Sequence, residues 1–227
     1  MTRGRWLVAA GALLAILAGG ALLLWQMAPN WHPPETDYPR QGIDVSHHQG
    51  PIDWPRLPAQ GVHFAYIKAT EGGDHRDTRF AENWRAARAA GIPRGAYHFF
   101  TLCRPGADQA ANFIAVVPAE PDALPPAVDL EYMGNCDGRP GVDGFHRELA
   151  VFLAAVEARY GQPALLYLTE EFDAAFQVSA RVDRPLWLRS LAFEPRFGAR
   201  PWTYWQVSNM RRLDGIAGPV DWNVARP

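Results

Sequence analysis

The sequence predicts an α/β fold, an irregular TIM-like (β/α) barrel with five βα units followed by three strands lacking crossover helices. Three observations lead there. Short apolar strands alternate with helical stretches from Gly42 to Phe176, a rhythm that calls for parallel strands joined by right-handed crossovers. The helices then stop while strand-like segments continue at Leu186-Trp187-Leu188, at Trp202 to Gln206, and at a last segment ending near Val220-Asp221. Eight strands in one domain of this size suggest closure. An open doubly wound sheet is the structural alternative, but no glycine-rich fingerprint follows the first strand.

The elements follow in order. Gly42 to Ser46 is a strand, and a short helical stretch covers Trp54 to Gln60. Phe64 to Lys68 is the second strand. Thr78 can cap the next helix, whose apolar stripe is Phe80, Trp84 and Ala87, with Gly91 placed to end it. Gly95 to Phe99 is the third strand, and a helix runs from Ala107 to Val116. Ala127 to Glu131 is the fourth. After it, Val142, Phe145, Leu149, Phe152, Leu153, Val156 and Tyr160 recur at three- and four-residue steps, the clearest helix in the chain, closed by Gly161. Ala164 to Leu168 is the fifth strand, with a short helix near Glu171 to Phe176.

Composition sets the boundaries. The 227 residues carry a net charge of -2, which removes the basic footprint of a protein held by nucleic-acid phosphates. Two cysteines are too few for a disulfide scaffold and match no zinc spacing. Residues 1–28 read as an N-terminal transmembrane anchor or signal sequence. Trp6 to Met27 is uncharged and would make a helix of about 33 Å, enough for a hydrocarbon core of about 30 Å. Arg3 and Arg5 precede it, so the positive-inside rule places the remainder outside the cytoplasm. Cleavage after Gly19-Gly20-Ala21 would instead give a secreted protein, although the apolar run continues past that point. Residues 29–40 read as a linker and 41–227 as the barrel domain.

Polar residues fall where such barrels keep their chemistry, at the strand ends that form one mouth. Asp44, Lys68, His98, Asp129, Glu131, Tyr167, Gln206 and Asp221 all sit there. Asp129 and Glu131 are the sharpest pair, because residues two apart on a strand share a face. Two inward carboxylates in an apolar strand are costly unless something uses them; a loop beginning one residue earlier would leave both solvated. His47 and His48 are adjacent and so face opposite ways on a strand, which makes poor chelation geometry. The Trp202 to Trp205 segment is core on one face and a sugar platform on the other if that face is open. Cys103 and Cys136 follow the third and fourth strands, so neighbouring loops in an oxidising compartment predict a disulfide.

Read together, Gly42-Ile43-Asp44-Val45-Ser46 with Gln49, Ile52-Asp53-Trp54, Phe64 through Thr70-Glu71-Gly72, Gly95 to Phe99, Asp129-Leu130-Glu131, Trp205-Gln206 and Gly218 to Asp221 occur in an order that resembles glycoside hydrolase family 25, the Chalaropsis-type lysozymes or N-acetylmuramidases. The resemblance spans Gly42 to Asn223. It implies a barrel of the kind already read. It also implies cleavage of the β-1,4 bond between N-acetylmuramic acid and N-acetylglucosamine, with peptidoglycan glycan strands as partner and no metal or organic cofactor. By position, Asp44, Asp129, Glu131 and Asp221 match the four acidic site residues, Glu131 the proton donor and Asp129 the carboxylate beside the reacting sugar. Lys68, Tyr97, His98, Tyr167, Trp205 and Gln206 are the expected substrate contacts of a monomer. The sequence departs from the pattern at His47-His48, where an aromatic often precedes the glutamine, and at Leu188-Arg189-Ser190. Two other classes stay open: a non-catalytic, membrane-tethered peptidoglycan-binding module, and a metal-dependent envelope amidase or deacetylase using His47, His48 or His98.

Overall fold

A computed structural model describes residues 3–227. Nine strands form one sheet: β1 (Gln41–Val45), β2 (Phe64–Glu71), β3 (His75–Arg76), β4 (Arg94–Phe99), β5 (Ala127–Leu130), β6 (Leu165–Leu168), β7 (Leu186–Arg189), β8 (Tyr204–Arg211) and β9 (Val220–Ala225). Their order is β1-β9-β8-β7-β6-β5-β4-β2-β3, and β1 also pairs with β2, so eight strands close into the barrel the sequence predicts. β3 is a two-residue addition folded back antiparallel on the end of β2.

The helices are α1 (Arg3–Met27), α2 (Phe80–Ala89), α3 (Gly106–Val116), α4 (Val142–Tyr160), α5 (Glu170–Phe176) and α6 (Val178–Arg181). α2 to α6 make the crossovers from β2 to β7. The first crossover is not a full helix but three 3-10 turns, His47–Gln49, Trp54–Arg56 and Pro58–Gln60, and in the last two Pro55 and Pro58 cannot donate the bonds an α-helix needs. α4 ends as expected, with Gly161 in the left-handed conformation at φ 68°.

The last strand departs from expectation. Asp221 lies at the start of β9, not at its end, and β9 runs antiparallel to both β8 and β1. The link from β8 is a short loop, and short loops join antiparallel neighbours, whereas a parallel return needs a crossover of a dozen or more residues. Reversal of the strand returns Asp221 to the same mouth, directly opposite Asp44 in register.

Strand alternation divides the core in two. Phe64, Tyr66, Ala127, Leu165, Tyr167, Trp187, Tyr204 and Ala225 fill the barrel, and the alternate residues pack outward beneath the helices. Gly95 belongs to the inner set. A Cβ there would fall 2.3 Å from the Tyr66 ring, so only glycine admits that ring to the barrel interior.

Residues 29–40 do not hang free of the barrel. The Arg212 amide donates to the Pro29 carbonyl at 3.1 Å, Gln41 Nε2 donates to the Pro33 carbonyl at 2.9 Å, and Tyr38 packs against Trp202 and Trp205. Upstream, the expected membrane span is not borne out. The run is helical, but among the described residues no helix is long and apolar enough to cross a membrane. Side chains of α1 are described for residues 11–22 and 26–27, and the rest of the expected span lies outside them.

Candidate active site

At the mouth formed by the C-terminal ends of the parallel strands lies a cavity of about 330 Å³, lined by Asp44, Tyr97, Asp129, Glu131, Tyr167, Trp187, Arg189, Gln206 and Asp221, with Gln49, Met133, Asn209 and Pro219 at its edge. The two-residue period explains the convergence. Asp129 and Glu131 share the inner face at the end of β5, Trp187 and Arg189 share it on β7, and Asp221 and Asn223 share it on β9.

Asp44 is buried and satisfied. Its Oδ2 accepts from Gln206 Nε2 at 2.9 Å and from Asn223 Nδ2 at 2.8 Å. Those two amides are themselves fixed, Gln206 by the Tyr167 hydroxyl at 3.0 Å and Asn223 by the Trp187 indole at 2.8 Å. Burial raises the Asp44 carboxyl, and the hydrogen bonds from Asn223, Gln206 and Asp221 pull it back down. Asp221 is held well above the usual carboxylate range by burial and by Asp44.

Asp129 is raised well above its ordinary range by burial and by Glu131, against the lowering charge of Lys68. Its Oδ1 is buried and has no protein hydrogen-bond partner among the described residues. Glu131 is raised from 4.5 to about 7, by burial first, with Arg189 opposing and Asp44 and Glu171 adding to the rise. Its backbone is tied down. Asn135 Nδ2 donates to the Glu131 carbonyl at 3.0 Å and to the Phe100 carbonyl at 2.9 Å, and Asn135 Oδ1 accepts from the Leu102 amide at 2.9 Å. The Cys103–Cys136 disulfide, with Cα atoms 6.3 Å apart, joins the same two loops, as the sequence predicts.

Not every expected contact reaches the mouth. Tyr97, Tyr167 and Gln206 do. Lys68 pairs with Glu71 at 2.7 Å and lies over the Phe99 ring, acting on the acids by charge. His98 faces the other way. It is fully buried between Thr70 Oγ1 at 2.7 Å and Gln109 Oε1 at 3.1 Å, stacked on Phe152 beneath the helices, and burial lowers it to about 3. Trp205 is also outward, its indole donating to the Ser190 carbonyl at 2.6 Å within the outer core. Neither can touch substrate at the mouth, because each neighbours an inward residue, Tyr97 or Gln206. His47 Nδ1 bonds Asp77 Oδ2 at 2.9 Å, and among the described residues no group of three or more His, Cys, Asp or Glu side chains could hold a metal ion.

The sequence profile of the glycosyl hydrolases family 25 matches residues 43–216. The chain belongs to that family. It is similar to a solved family 25 glycosyl hydrolase from Bacillus anthracis, 35% identical with a TM-score of 0.79 over 86% of this chain and 92% of that one. A bacterial lysozyme from Streptomyces coelicolor is 32% identical with a TM-score of 0.75, covering 83% of this chain and 92% of that one. Lysozyme M1 of Streptomyces globisporus is 34% identical over 206 residues, 81% of this chain and 66% of that protein. As a family 25 enzyme, the chain is a glycoside hydrolase.

Sequence reasoning passed over Trp187, Arg189 and Asn223 as parts of this family 25 mouth. The signal was present for all three. Arg189 lies two residues beyond Trp187 on β7, and Asn223 two beyond Asp221 on β9, so each shares a face with a residue of the cavity.

Proposed function

We propose that the chain is a lysozyme that cuts the β-1,4 bond between N-acetylmuramic acid and N-acetylglucosamine in peptidoglycan, with Glu131 as general acid and Asp129 assisting the 2-acetamido group of the reacting sugar. The observation that carries this reading is the pairing of a carboxyl that titrates near 7 with a buried carboxyl oxygen lacking a partner, in a family 25 mouth. Glycoside cleavage needs a protonated acid at the leaving oxygen and negative charge near the developing oxocarbenium ion. Glu131 stays protonated to neutral pH and can give its proton to the departing sugar's oxygen. An acetamido N–H on the substrate would supply the partner that Asp129 Oδ1 lacks. That bond would turn the amide carbonyl toward the anomeric carbon and favour the ionised carboxylate as positive charge develops. The carbonyl oxygen bonds the anomeric carbon as the glycosidic C–O bond breaks and the departing oxygen takes the Glu131 proton; water then attacks that carbon, frees the carbonyl and gives its proton to the Glu131 carboxylate. Asp44 and Asp221 hold the floor of the mouth, and beneath them the buried Trp187 indole fixes Asn223.

The enzyme acts outside the cytoplasm, with residues 1–28 as its membrane attachment, 29–40 connecting and 41–227 as the catalytic unit. The uncharged run Trp6 to Met27 behind Arg3 and Arg5 supports this. Digestion of defined peptidoglycan with product analysis by mass spectrometry tests the reading. New reducing ends on N-acetylmuramic acid are expected. Reducing N-acetylglucosamine, released peptide, or no product would refute it.

A further inference from the structure

Among the described residues that line the mouth, Arg189 is the only basic one. It is the last residue of β7, half-buried, and shares the inner face with Trp187. Leu130, Leu168 and Leu188 are partners in register across β5, β6 and β7. Glu131 and Arg189, each one residue further on, therefore lie at one level of the mouth. Two strand spacings put their backbones about 10 Å apart, which leaves room for a sugar ring between carboxyl and guanidinium. The charge of Arg189 acts on Asp44, Glu131 and Asp221, yet among the described residues it closes an ion pair with none of them. Lys68, the other cation felt by the acids, is already paired with Glu71 at 2.7 Å.

A half-buried guanidinium without a counter-ion is a charge the fold itself does not use, and neutral sugar hydroxyls do not call for one. Its planar fork of donors fits a carboxylate, and a bond to a carboxylate is roughly twice as strong as one to a neutral acceptor. On the lysozyme reading, the sugar cut at its anomeric carbon is N-acetylmuramic acid. That sugar carries one acidic group, the carboxyl of the lactyl ether on ring carbon 3, beside the carbon that bears the acetamido group. In a strand with stem peptides this carboxyl is tied up as a neutral amide. In a bare strand it is an anion. A cavity of about 330 Å³ is at the small end of ligand sites, so it admits one ring with its substituents rather than a length of peptide. The carboxylate that comes within reach of Arg189 is then the one carried by the ring.

We propose that Arg189 binds the ionised lactyl carboxylate of the muramic acid residue being cut, which makes peptide-free glycan the preferred substrate. This rests on the lysozyme reading and narrows it. The reaction that must supply such strands is hydrolysis of the lactyl amide: water cleaves the C–N bond, its oxygen stays in the carboxylate on the sugar, and the peptide leaves as an ammonium. Three glycan strands of equal length test the proposal at about pH 6, where Glu131 keeps its proton and the lactyl carboxyl has lost its own. One strand has free lactyl carboxylates, one has them as N-methylamides, and one carries L-alanyl-D-glutamate stems, whose carboxylates stand further from the ring. Wild-type kcat/KM is expected to be about tenfold higher on the free carboxylate than on the N-methylamide, chiefly through KM, with the stem-bearing strand no better than the N-methylamide. Arg189→Gln keeps hydrogen-bond donors without the charge and should bring that ratio to within about twofold of unity. Each ratio is taken within one protein at one pH, so the effect of Arg189 on Glu131 cancels. Equal wild-type rates on the first two strands, a ratio unchanged by Arg189→Gln, or a preference for the stem-bearing strand overturns the proposal and leaves the lysozyme reading intact. No reducing N-acetylmuramic acid from any of the three overturns both. If Arg189→Gln does not fold, calorimetric titration of Glu131→Gln with the first two strands makes the same comparison, and equal affinities overturn the proposal.

Discussion

Replacing Glu131 by Gln should destroy activity and, at neutral pH, stabilise the fold. The carboxyl is raised from 4.5 to about 7 by burial among other acids. Between those two values the folded chain holds a proton that the unfolded chain has released, so stability falls as pH rises through the window and then levels off. A rise of that size corresponds to about 3 kcal/mol at 1.36 kcal/mol per unit, a ceiling because neighbouring acids titrate with it. Gln removes this penalty. Its advantage should be absent below about pH 4.5 and full above about pH 7, where 3 kcal/mol amounts to roughly 6–12 °C in Tm for a chain of this size. Thermal unfolding followed by near-ultraviolet dichroism across pH 4 to 8 measures this, and release of reducing ends from purified cell wall measures the loss of activity, about 10²–10⁴-fold. A Tm difference that does not vary with pH would show that Glu131 is not the raised acid. A loss of less than about tenfold in turnover would remove it from catalysis.

Other outcomes follow from the same site. Wild-type turnover should decline above about pH 7 as Glu131 loses its proton, and Arg189→Ala should move that decline to higher pH because the guanidinium opposes the rise; an unmoved limb would separate Arg189 from Glu131. Asp129→Asn should cut kcat by about 10²-fold or more with unchanged circular dichroism, and near-normal kcat would refute its role beside the acetamido group. Reducing Cys103–Cys136 opens a loop with a sequence separation of 33, worth about 4 kcal/mol by chain entropy and roughly 8–16 °C in Tm; a shift under a few degrees would refute that reasoning. Trp205→Phe should leave KM within about twofold while Tyr97→Ala, at a half-buried ring lining the mouth, raises it about tenfold or more, and the reverse ranking would mean that the inward and outward faces have been confused.

Strand parity decided what the sequence could reveal. The order of apolar strands and helices showed the barrel, and the i, i+2 spacing of Asp129 and Glu131 showed the acid pair. The same rule was under-used elsewhere. Tyr97 and His98 are adjacent on β4, and Trp205 and Gln206 on β8, so only one of each pair can face the mouth. Parity alone does not say which, and the answer comes from Tyr66 and Tyr204 filling the barrel while Phe113 and Phe152 cover His98 from outside. The direction of β9 was hidden for a different reason, since alternation reads the same along a strand and against it. The attachment of residues 29–40 to the barrel was hidden because that segment has no period: its bonds run through backbone carbonyls of Pro29, Asn30 and Pro33, and carbonyls are common to every residue.

The mouth is a costly arrangement, and its surroundings explain how it persists. Four carboxyls are pushed upward there by burial, so each would relax if its strand end moved toward water. Glu131 is the one most free to do so, because it lies beyond the last residue of β5, where the ladder no longer holds it. Asn135 takes over at that point, bonding the Glu131 and Phe100 carbonyls and the Leu102 amide, and the disulfide closes the same two loops one residue further on. These links touch no sugar. They keep the carboxyl in its poorly hydrated position, and that position holds its proton at neutral pH. The disulfide of this enzyme is therefore tied to its chemistry as well as to its stability: loosening the loops would let Glu131 drift toward an ordinary carboxylate, an acid already spent at the pH where the glycan must be cut.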